Sequence, residues 1–186
     1  DFDESLARLK RFAMSAKRSD ATILVTPELF LGGYRTDGVT AIGDLDLVAT
    51  IARDVEIHLI VGFAEKLSDG VANSAVAIDK YGKILGVYRK CHLFGELENR
   101  AFRRGNTISK LFHFDDVRVG ILICYDVEFP EAVRTVAMRG ADIIFVPTAN
   151  FHPYDFVNDH LIRVRAFENG IPVVYCNWSK HLFLRL

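Results

Sequence analysis

Short, almost entirely apolar segments separate the amphipathic helical patterns of this sequence, and they restrict its fold more than any other feature. They cover 21–26, 58–62, 142–146 and 173–177. Segments of this length and composition are typical of strands that are buried on both faces. Because such strands need helices or a second sheet as cover, their alternation with helices predicts an α/β fold with a mixed sheet, and we expect a layered sandwich.

The remaining patterns predict the helices and hairpins. Helices are predicted for about 5–16, 45–55, 131–139 and 155–169, and β-hairpins for 73–79 with 83–89 and for 110–114 with 117–123. Pro130 is expected at the first helical position of the third helix, and Gly140 marks that helix's end. Pro147 is expected to end the strand 142–146. The polar stretch 95–107 predicts a functional loop with room for about one helical turn.

The composition is that of one globular domain over residues 1–186, with half of the residues apolar and a quarter charged. The net charge of −1 gives no reason to expect nucleic acid or an anionic membrane as a partner. No apolar run reaches the roughly 18 residues that a membrane span needs. Asp1, Asp3 and Glu4 stand where a secretory signal would have basic and apolar residues.

The cysteines and histidines suggest neither a disulfide framework nor a metal site. Cys91, Cys124 and Cys176 are odd in number, widely spaced and without a CxxC pair. This pattern favours free thiols in a reducing compartment, so a cytoplasmic location is expected. The six histidines form no HExxH or HxH pattern. We therefore expect neither a metal nor another cofactor.

The stretch 120–131, Gly-Ile-Leu-Ile-Cys-Tyr-Asp-Val-Glu-Phe-Pro-Glu, places Cys124 where a predicted buried strand turns towards a helix. A thiol held there can face the cleft at the edge of a sheet and act as a nucleophile. The alternative is a buried free cysteine that packs as a small hydrophobe, which is the commoner role of an isolated cysteine. The choice depends on whether the chain supplies a base and a positive charge.

Glu28 and Lys90 can supply both, because each follows a predicted strand as Cys124 does. The carboxyl ends of strands in α/β sheets border the ligand crevice, so the three side chains can meet there. A buried carboxylate is a competent base for a thiol, and an ammonium group stabilises a thiolate or a developing oxyanion. Taken singly, Glu28 could be a solvated or helix-terminal charge, and Lys90 could belong to a solvated surface with Arg89.

Three segments resemble signatures of the nitrilase superfamily, the carbon–nitrogen hydrolases, in their order and approximate spacing. They are Thr-Pro-Glu-Leu-Phe-Leu-Gly-Gly-Tyr at 26–34, Tyr-Arg-Lys-Cys-His-Leu-Phe-Gly at 88–95, and the stretch 120–131. The segments 147–150 and 163–169 resemble later signatures of that family. The resemblance implies a four-layer αββα sandwich with mixed sheets. It also implies a triad in which Glu28 is the general base, Lys90 the electrostatic stabiliser and Cys124 the nucleophile.

The resemblance implies roles for further residues. The backbone N–H of Tyr125 would share the oxyanion hole with Lys90, and Tyr34 and Asn150, from the first and fourth segments, are predicted to bind substrate. The family also has a second glutamate between the lysine and cysteine motifs. Glu98 is the candidate for it and Glu96 the reserve, although exposed charge is the usual state of such residues.

The residues at 92–95 and 124–131 resemble those of an amidase branch of the family more than those of the true nitrilases. The predicted function is hydrolysis of a non-peptide carbon–nitrogen bond of a small amide through a cysteine acyl-thioester, with release of a carboxylic acid and ammonia or an amine. Nitrile hydrolysis and N-carbamoyl amide hydrolysis share the triad and stay open. A non-catalytic relative that acts as a binding or scaffold subunit is the alternative from another class. The expected partners are a small amide or nitrile and further copies of the chain, in a homodimer or a larger homo-oligomer.

The sequence departs from the resemblance at its ends. Family members begin with a strand before the first helix and continue past the strand 173–177, so the domain looks shortened at both ends. Residues 180–186 match no expected segment, and the connection 34–46 is short. If the domain is truncated, missing strands would reduce its stability, its dimerisation and its activity.

Overall fold

The computed structural model of the chain describes residues 1–108 and 110–179. The strands of these residues form two four-stranded sheets. The stretch 180–186, for which the sequence suggested no family counterpart, lies outside the described residues. No helix built from the described residues combines the length and apolar character that a membrane crossing requires.

The first sheet consists of β1 (Ile23–Val25), β2 (His58–Leu67), β3 (Gly70–Ile78) and β4 (Ile84–Arg89), in that order. β1 pairs parallel with β2, and the other neighbours are antiparallel. Helices α1 (Phe2–Arg18) and α2 (Asp46–Val55) cover one face of this sheet. The Asp1 carboxylate caps α1 by accepting a hydrogen bond from the Glu4 N–H at 2.8 Å.

After β4 comes a short helix, α3 (Gly95–Ala101), and then the second sheet. That sheet consists of β5 (Leu111–Phe114), β6 (Val117–Ile121), β7 (Ile143–Thr148) and β8 (Val173–Asn177), in that order. β5 and β6 form a hairpin, whereas β6, β7 and β8 are parallel. Helix α4 (Pro130–Met138) connects β6 to β7, and α5 (Ile162–Asn169) connects β7 to β8. A π-helical turn, Val157–Leu161, leads directly into α5.

The two sheets pack face to face because successive side chains of a strand point to opposite faces. In β2, Leu59 packs with α1 and α2, while the next residue, Ile60, joins the core between the sheets. In β6, Val119 joins the same core, whereas a Cβ added at Gly120 would collide with Val136 of α4. The order helix, sheet, sheet, helix confirms the predicted αββα sandwich with mixed sheets.

Pro147 does not end its strand as expected. β7 continues through Pro147, which pairs with Cys176 of β8. β6 pairs with β7 only as far as Phe145, and the Ile144 N–H points the other way, towards Pro172. The missing N–H of Pro147 therefore faces the side where β6 has already ended, and no ladder hydrogen bond is lost there.

Other element boundaries also differ from the predictions, and three of them bear on the site. β2 extends five residues beyond Gly62, and α3 has seven residues, more than the single turn predicted within 95–107. β6 ends at Ile121, and Cys124–Glu128 form a 3₁₀ turn, called the cysteine turn below. Cys124 therefore begins a turn and does not end a strand.

Candidate active site

Glu28 follows β1 and is almost completely buried, with 1% of its surface exposed. Its backbone carbonyl accepts a hydrogen bond from the Trp178 indole N–H at 2.8 Å. Its Oε1 accepts hydrogen bonds from Lys90 Nζ and from Asn73 Nδ2, both at 2.7 Å. Its Oε2 has no hydrogen-bond partner among the described residues. One carboxylate oxygen is therefore fixed, and the other is free to accept a proton.

Lys90 follows β4 and is fully buried. Its backbone N–H donates to the Asn73 carbonyl at 2.9 Å, and its own carbonyl accepts from the Gly105 N–H at 2.8 Å. Its Nζ lies 2.7 Å from Glu28 Oε1 and 2.9 Å from each carboxylate oxygen of Glu98. The ammonium group is therefore held between two carboxylates by charge-assisted hydrogen bonds.

Glu98 lies on α3 and is also almost completely buried. In addition to Lys90, its carboxylate accepts hydrogen bonds from the Tyr34 hydroxyl at 2.6 Å and from the Phe94 backbone N–H at 2.7 Å. Glu96, the reserve candidate, is exposed and pairs with an arginine on the surface of the same helix. The structure therefore brings Glu98, and not Glu96, to Lys90.

Cys124 has a φ angle of 44°, a left-handed conformation that is strained for a residue with a side chain. The carboxylate of Asp126, which is fully buried, holds this turn in place. Asp126 Oδ2 accepts from the Ile123 N–H at 3.1 Å and from the Tyr88 hydroxyl at 2.8 Å, and Oδ1 accepts from the His92 N–H at 2.8 Å. The strained cysteine backbone is thereby tied to β4 and to the segment that follows Lys90.

The surroundings of Cys124 favour its protonated thiol. Burial raises the pKa of Cys124 well above its ordinary value, and the Glu28 carboxylate raises it further, while the Lys90 ammonium opposes both effects. Burial also raises the pKa of Glu28, against the opposing charge of Lys90. The thiol proton therefore has to leave during nucleophilic attack, and a carboxylate with a raised pKa is a suitable acceptor.

Lys90 keeps its charge. Burial by itself lowers the pKa of Lys90, but the interactions with Glu28, Cys124 and Glu98 outweigh burial, and the pKa is raised. An ammonium group that holds its proton this firmly does not act as a base. It can stabilise a negative charge that develops beside it.

A small cavity joins the predicted site residues. Tyr34, Lys90, Glu98, Cys124, Tyr125 and Asn150 all line it, whereas Glu28 is not among the lining residues and bonds to the Lys90 ammonium. Its volume is about 10 Å³, which is about the room that one water molecule needs. Side chains of the lining therefore have to move apart to admit an amide.

Asn150 lines the cavity and is hydrogen-bonded within its own loop. Its side-chain NH₂ group donates to the Tyr154 carbonyl at 2.8 Å and to Asn158 Oδ1 at 2.9 Å. These bonds order the loop after β7, which forms one wall of the cavity.

Sequence reasoning assigned no role to Asn73, Asp126, Gly62 or Trp178, although each of them holds a site residue. Asn73 and Trp178 bond to Glu28, and Asp126 fixes the cysteine turn. A Cβ added at Gly62 would lie 2.5 Å from the Pro27 carbonyl oxygen and 3.1 Å from Glu28 Cα, so only glycine allows this close approach. A polar residue within an apolar segment is buried only when it is hydrogen-bonded, and this signal could have found Asn73 and Asp126.

Within residues 1–108 and 110–179, no group of three or more His, Cys, Asp or Glu side chains is arranged to hold a metal ion. All three cysteines are free.

A family model for carbon–nitrogen hydrolases matches residues 1–180. The chain belongs to the carbon–nitrogen hydrolase family. It is 43% identical over 191 residues to the "Hydrolase in pqqF 5'region" of Pseudomonas protegens, with 97% of this chain and 66% of the relative covered. It is 31% identical over 182 residues to a nitrilase of Pyrococcus abyssi, with 92% of this chain and 68% of the relative covered. This carbon–nitrogen hydrolase chain spans about two thirds of the length of these relatives.

The fold of this carbon–nitrogen hydrolase is also that of a solved amidase. A mutant of the amidase from Nesterenkonia sp. AN1, in which acrylamide has added to the active-site cysteine, superposes with a TM-score of 0.89 at 32% sequence identity. The match covers 95% of this chain and 73% of the amidase. Relatives and neighbours together place the chain in the nitrilase superfamily, in its amidase-like branch, among hydrolases of non-peptide carbon–nitrogen bonds.

Proposed function

We propose that the chain hydrolyses the carbon–nitrogen bond of a small amide, with Cys124 as nucleophile, Glu28 as general base and Lys90 as the stabiliser of developing negative charge. One observation carries this proposal: Glu28 Oε2 is buried and free, while Oε1 is fixed by Lys90. A thiol that holds its proton at rest needs such an acceptor in a site of low dielectric.

In the first half of the reaction, the Cys124 sulfur bonds to the amide carbonyl carbon as the thiol proton passes to Glu28. The carbonyl oxygen becomes an oxyanion, which the Lys90 ammonium and the Tyr125 backbone N–H stabilise. The Tyr125 N–H is suited to this because the first N–H groups of a helical turn have no partner within the turn. The carbon–nitrogen bond then breaks, Glu28 returns the proton to the nitrogen, and ammonia or an amine leaves.

In the second half, water attacks the carbonyl carbon of the acyl-thioester while Glu28 accepts a proton from it. The carbon–sulfur bond breaks, the Cys124 sulfur recovers a proton, and a carboxylic acid leaves. Glu98 orients the Lys90 ammonium in both halves of the reaction by accepting two hydrogen bonds of 2.9 Å from it. Tyr34 and Asn150 would contact the substrate from the cavity wall.

The acrylamide adduct of the Nesterenkonia amidase supports a reactive cysteine in this fold. The nitrilase among the relatives makes nitriles a reasonable second class of substrate. Ammonia release from a panel of aliphatic amides, nitriles and N-carbamoyl amines separates these activities.

The experiment that tests the mechanism is intact-mass measurement after a short incubation with an amide. We expect a mass increase that equals the acyl group, located on the peptide that contains Cys124, and no increase in Cys124→Ala. Ammonia release by Cys124→Ala at the wild-type rate would show that the mechanism is wrong.

We also propose that the chain forms one domain over residues 1–186, assembles as a homodimer or a larger homo-oligomer, and works in the cytoplasm. A single cooperative unfolding transition in urea is expected for one domain. Light scattering after size-exclusion chromatography measures the oligomeric state, and fractionation of the source cells tests the location.

A further inference from the structure

One acidic side chain in the cavity has no part in the proposed chemistry. Glu128 ends the cysteine turn, four residues after the nucleophile, and its side chain lines the same cavity as Cys124. Within the described part of the chain, its carboxylate has no hydrogen bond and no ion pair. Burial raises the pKa of Glu128, while the charges of Lys90 and Arg165 oppose that rise. A half-buried carboxylate without a protein partner can still accept a hydrogen bond or an ion pair from a ligand in the cavity.

The backbone of Glu128 is held rigidly, so its position relative to Cys124 is fixed. The Arg165 guanidinium, which is buried, donates to the Val127 carbonyl at 3.0 Å and to the Glu128 carbonyl at 2.7 Å. A third donor of Arg165 binds the Glu168 carboxylate at 3.1 Å. Arg165 therefore supports the main chain of Glu128 while its charge is balanced by Glu168.

The charges around the cavity leave a negative excess. Lys90 is already shared between Glu28 and Glu98, and Arg165 is paired with Glu168. Counting Glu128, these groups comprise four carboxylates and two cations. Even with Glu28 protonated, these groups carry one more negative charge than positive charge.

Aromatic rings make up much of the remaining lining of the cavity. Phe94, Tyr125, Phe151 and Tyr154 line the cavity. The ring centroid of Phe94 lies 5.2 Å from that of Tyr125 and 5.3 Å from that of Tyr154, in edge-on arrangements with interplanar angles of 80° and 82°. Aromatic faces beside a carboxylate attract cations, because the ring quadrupole and the negative charge act in the same direction.

We infer that Glu128 selects amides that carry a positive charge, an ammonium group above all, at the end remote from the bond that is cleaved. This inference rests on the proposed amide hydrolysis at Cys124. The methylene groups of such a substrate contact the aromatic wall, and its ammonium group pairs with the Glu128 carboxylate. An anionic amide meets the same carboxylate as a repulsive charge.

The test compares two amides of equal size, γ-aminobutyramide and pentanamide, which differ by an ammonium group in place of a methyl group. Homologues of both with shorter and longer chains allow for the distance between the two groups. Steady-state kcat/KM, measured by ammonia release, is expected to favour the cationic amide by about tenfold or more in the wild-type protein, as a partly buried charge-assisted pair provides. In Glu128→Gln the ratio of the two kcat/KM values is expected to fall to about one. Glu131→Gln removes an exposed charge three residues away and keeps both the activity and the wild-type ratio.

Equal kcat/KM values for every matched pair in the wild-type protein, or an unchanged preference in Glu128→Gln, would overturn the inference while leaving amide hydrolysis intact. If no amide releases ammonia, the proposed function fails instead. The charge preference is then decided by calorimetric binding of the same two amides to Cys124→Ala. About tenfold tighter binding of the cationic amide supports the inference. Equal binding, or no binding of either amide, overturns it.

Discussion

Asp126 accepts a hydrogen bond from the Tyr88 hydroxyl at 2.8 Å, and both side chains are buried. Tyr88 lies on β4, two residues before Lys90, and Asp126 lies in the cysteine turn, two residues after Cys124. This bond therefore joins the element that delivers the lysine to the element that delivers the thiol. The relative position of two proposed catalytic groups depends on a carboxylate that takes no part in the proposed chemistry.

Asp126→Asn is expected to lower both stability and turnover. The Asp126 carboxylate accepts hydrogen bonds from Tyr88, Ile123 and His92, and an amide group has only one oxygen to offer these donors. Leaving buried donors unsatisfied is expected to cost about 2–4 kcal/mol of unfolding free energy, measured by urea denaturation. We also expect kcat/KM to fall about a hundredfold, since small displacements of reacting groups cost that much.

Asp116→Asn is the matched control for this substitution, because Asp116 lies exposed in the β5–β6 turn. It is expected to change neither the urea midpoint nor kcat/KM measurably. Wild-type stability and turnover in Asp126→Asn would show that the two catalytic elements are positioned by other contacts.

The fold class was predictable because several strands contain short apolar segments and the helices are amphipathic, so these elements carry their own signal. The proximity of Glu28, Lys90 and Cys124 was predictable for a different reason, since these residues lie in motifs that resemble a known family. The supporting residues were harder, because their role depends on contacts between distant segments. Asn73 is 45 residues from Glu28, and Trp178 is 150 residues from it. No local pattern indicates that these side chains meet.

The course of β7 shows a second limit of sequence reasoning. Pro147 is a sound signal for the end of a strand, yet β7 continues because β6 has ended on the side that the proline faces. The length of a neighbouring strand decided the outcome. That length is not encoded at the proline itself.

Glu28→Gln is expected to slow amide hydrolysis and to make the Cys124 thiol easier to deprotonate. Turnover should fall by about 10²–10⁴, because the thiol loses its general base. The negative charge of Glu28 contributes to the raised pKa of Cys124, so a neutral glutamine is expected to lower that pKa. Alkylation of Cys124 by iodoacetamide, followed by peptide mass across a pH series, should therefore begin at lower pH in the variant than in the wild-type protein.

The fall of the wild-type kcat/KM at low pH follows from the protonation of Glu28. Burial raises the pKa of Glu28, so the base becomes protonated, and kcat/KM falls, at a higher pH than for an ordinary glutamate. Glu131→Gln should leave both the alkylation profile and the kcat/KM profile in place. An alkylation profile in Glu28→Gln that moves to higher pH would contradict the proposed electrostatics.

Glu98→Gln is expected to reduce kcat/KM by about 10²–10³, the loss typical of one electrostatic group in a preorganised site. Both oxygens of the Glu98 carboxylate accept hydrogen bonds from the Lys90 ammonium, and Oε1 also accepts a hydrogen bond from the Tyr34 hydroxyl. The substitution removes one of the interactions that raise the pKa of Lys90, so that pKa is expected to fall. Glu96→Gln, which changes an exposed charge on the same helix, should keep kcat/KM within about twofold. Equal losses of kcat/KM in the two variants would mean that kcat/KM depends on the net charge of α3 and not on the contact between Glu98 and Lys90.

Gly62→Ala tests whether the backbone contact between β2 and Glu28 is needed. The added Cβ would lie 2.5 Å from the Pro27 carbonyl oxygen, 2.8 Å from the Leu29 nitrogen and 3.1 Å from Glu28 Cα, so the segment that bears Glu28 has to move. Overpacking of this kind is expected to cost about 1–3 kcal/mol of unfolding free energy. Because the displaced residue is the proposed base, kcat/KM should fall by about a hundredfold, beyond what the loss of folded protein explains.

Gly43→Ala provides the comparison, since the nearest atom to its added Cβ is the flexible Lys66 side chain at an ordinary distance of 3.6 Å. Both variants are compared by urea denaturation and by kcat/KM per folded molecule. Gly43→Ala is expected to match the wild-type protein in both measurements. If Gly62→Ala is destabilised but keeps wild-type kcat/KM, the position of Glu28 tolerates the shift, and a base held within a few tenths of an ångström is not required for turnover.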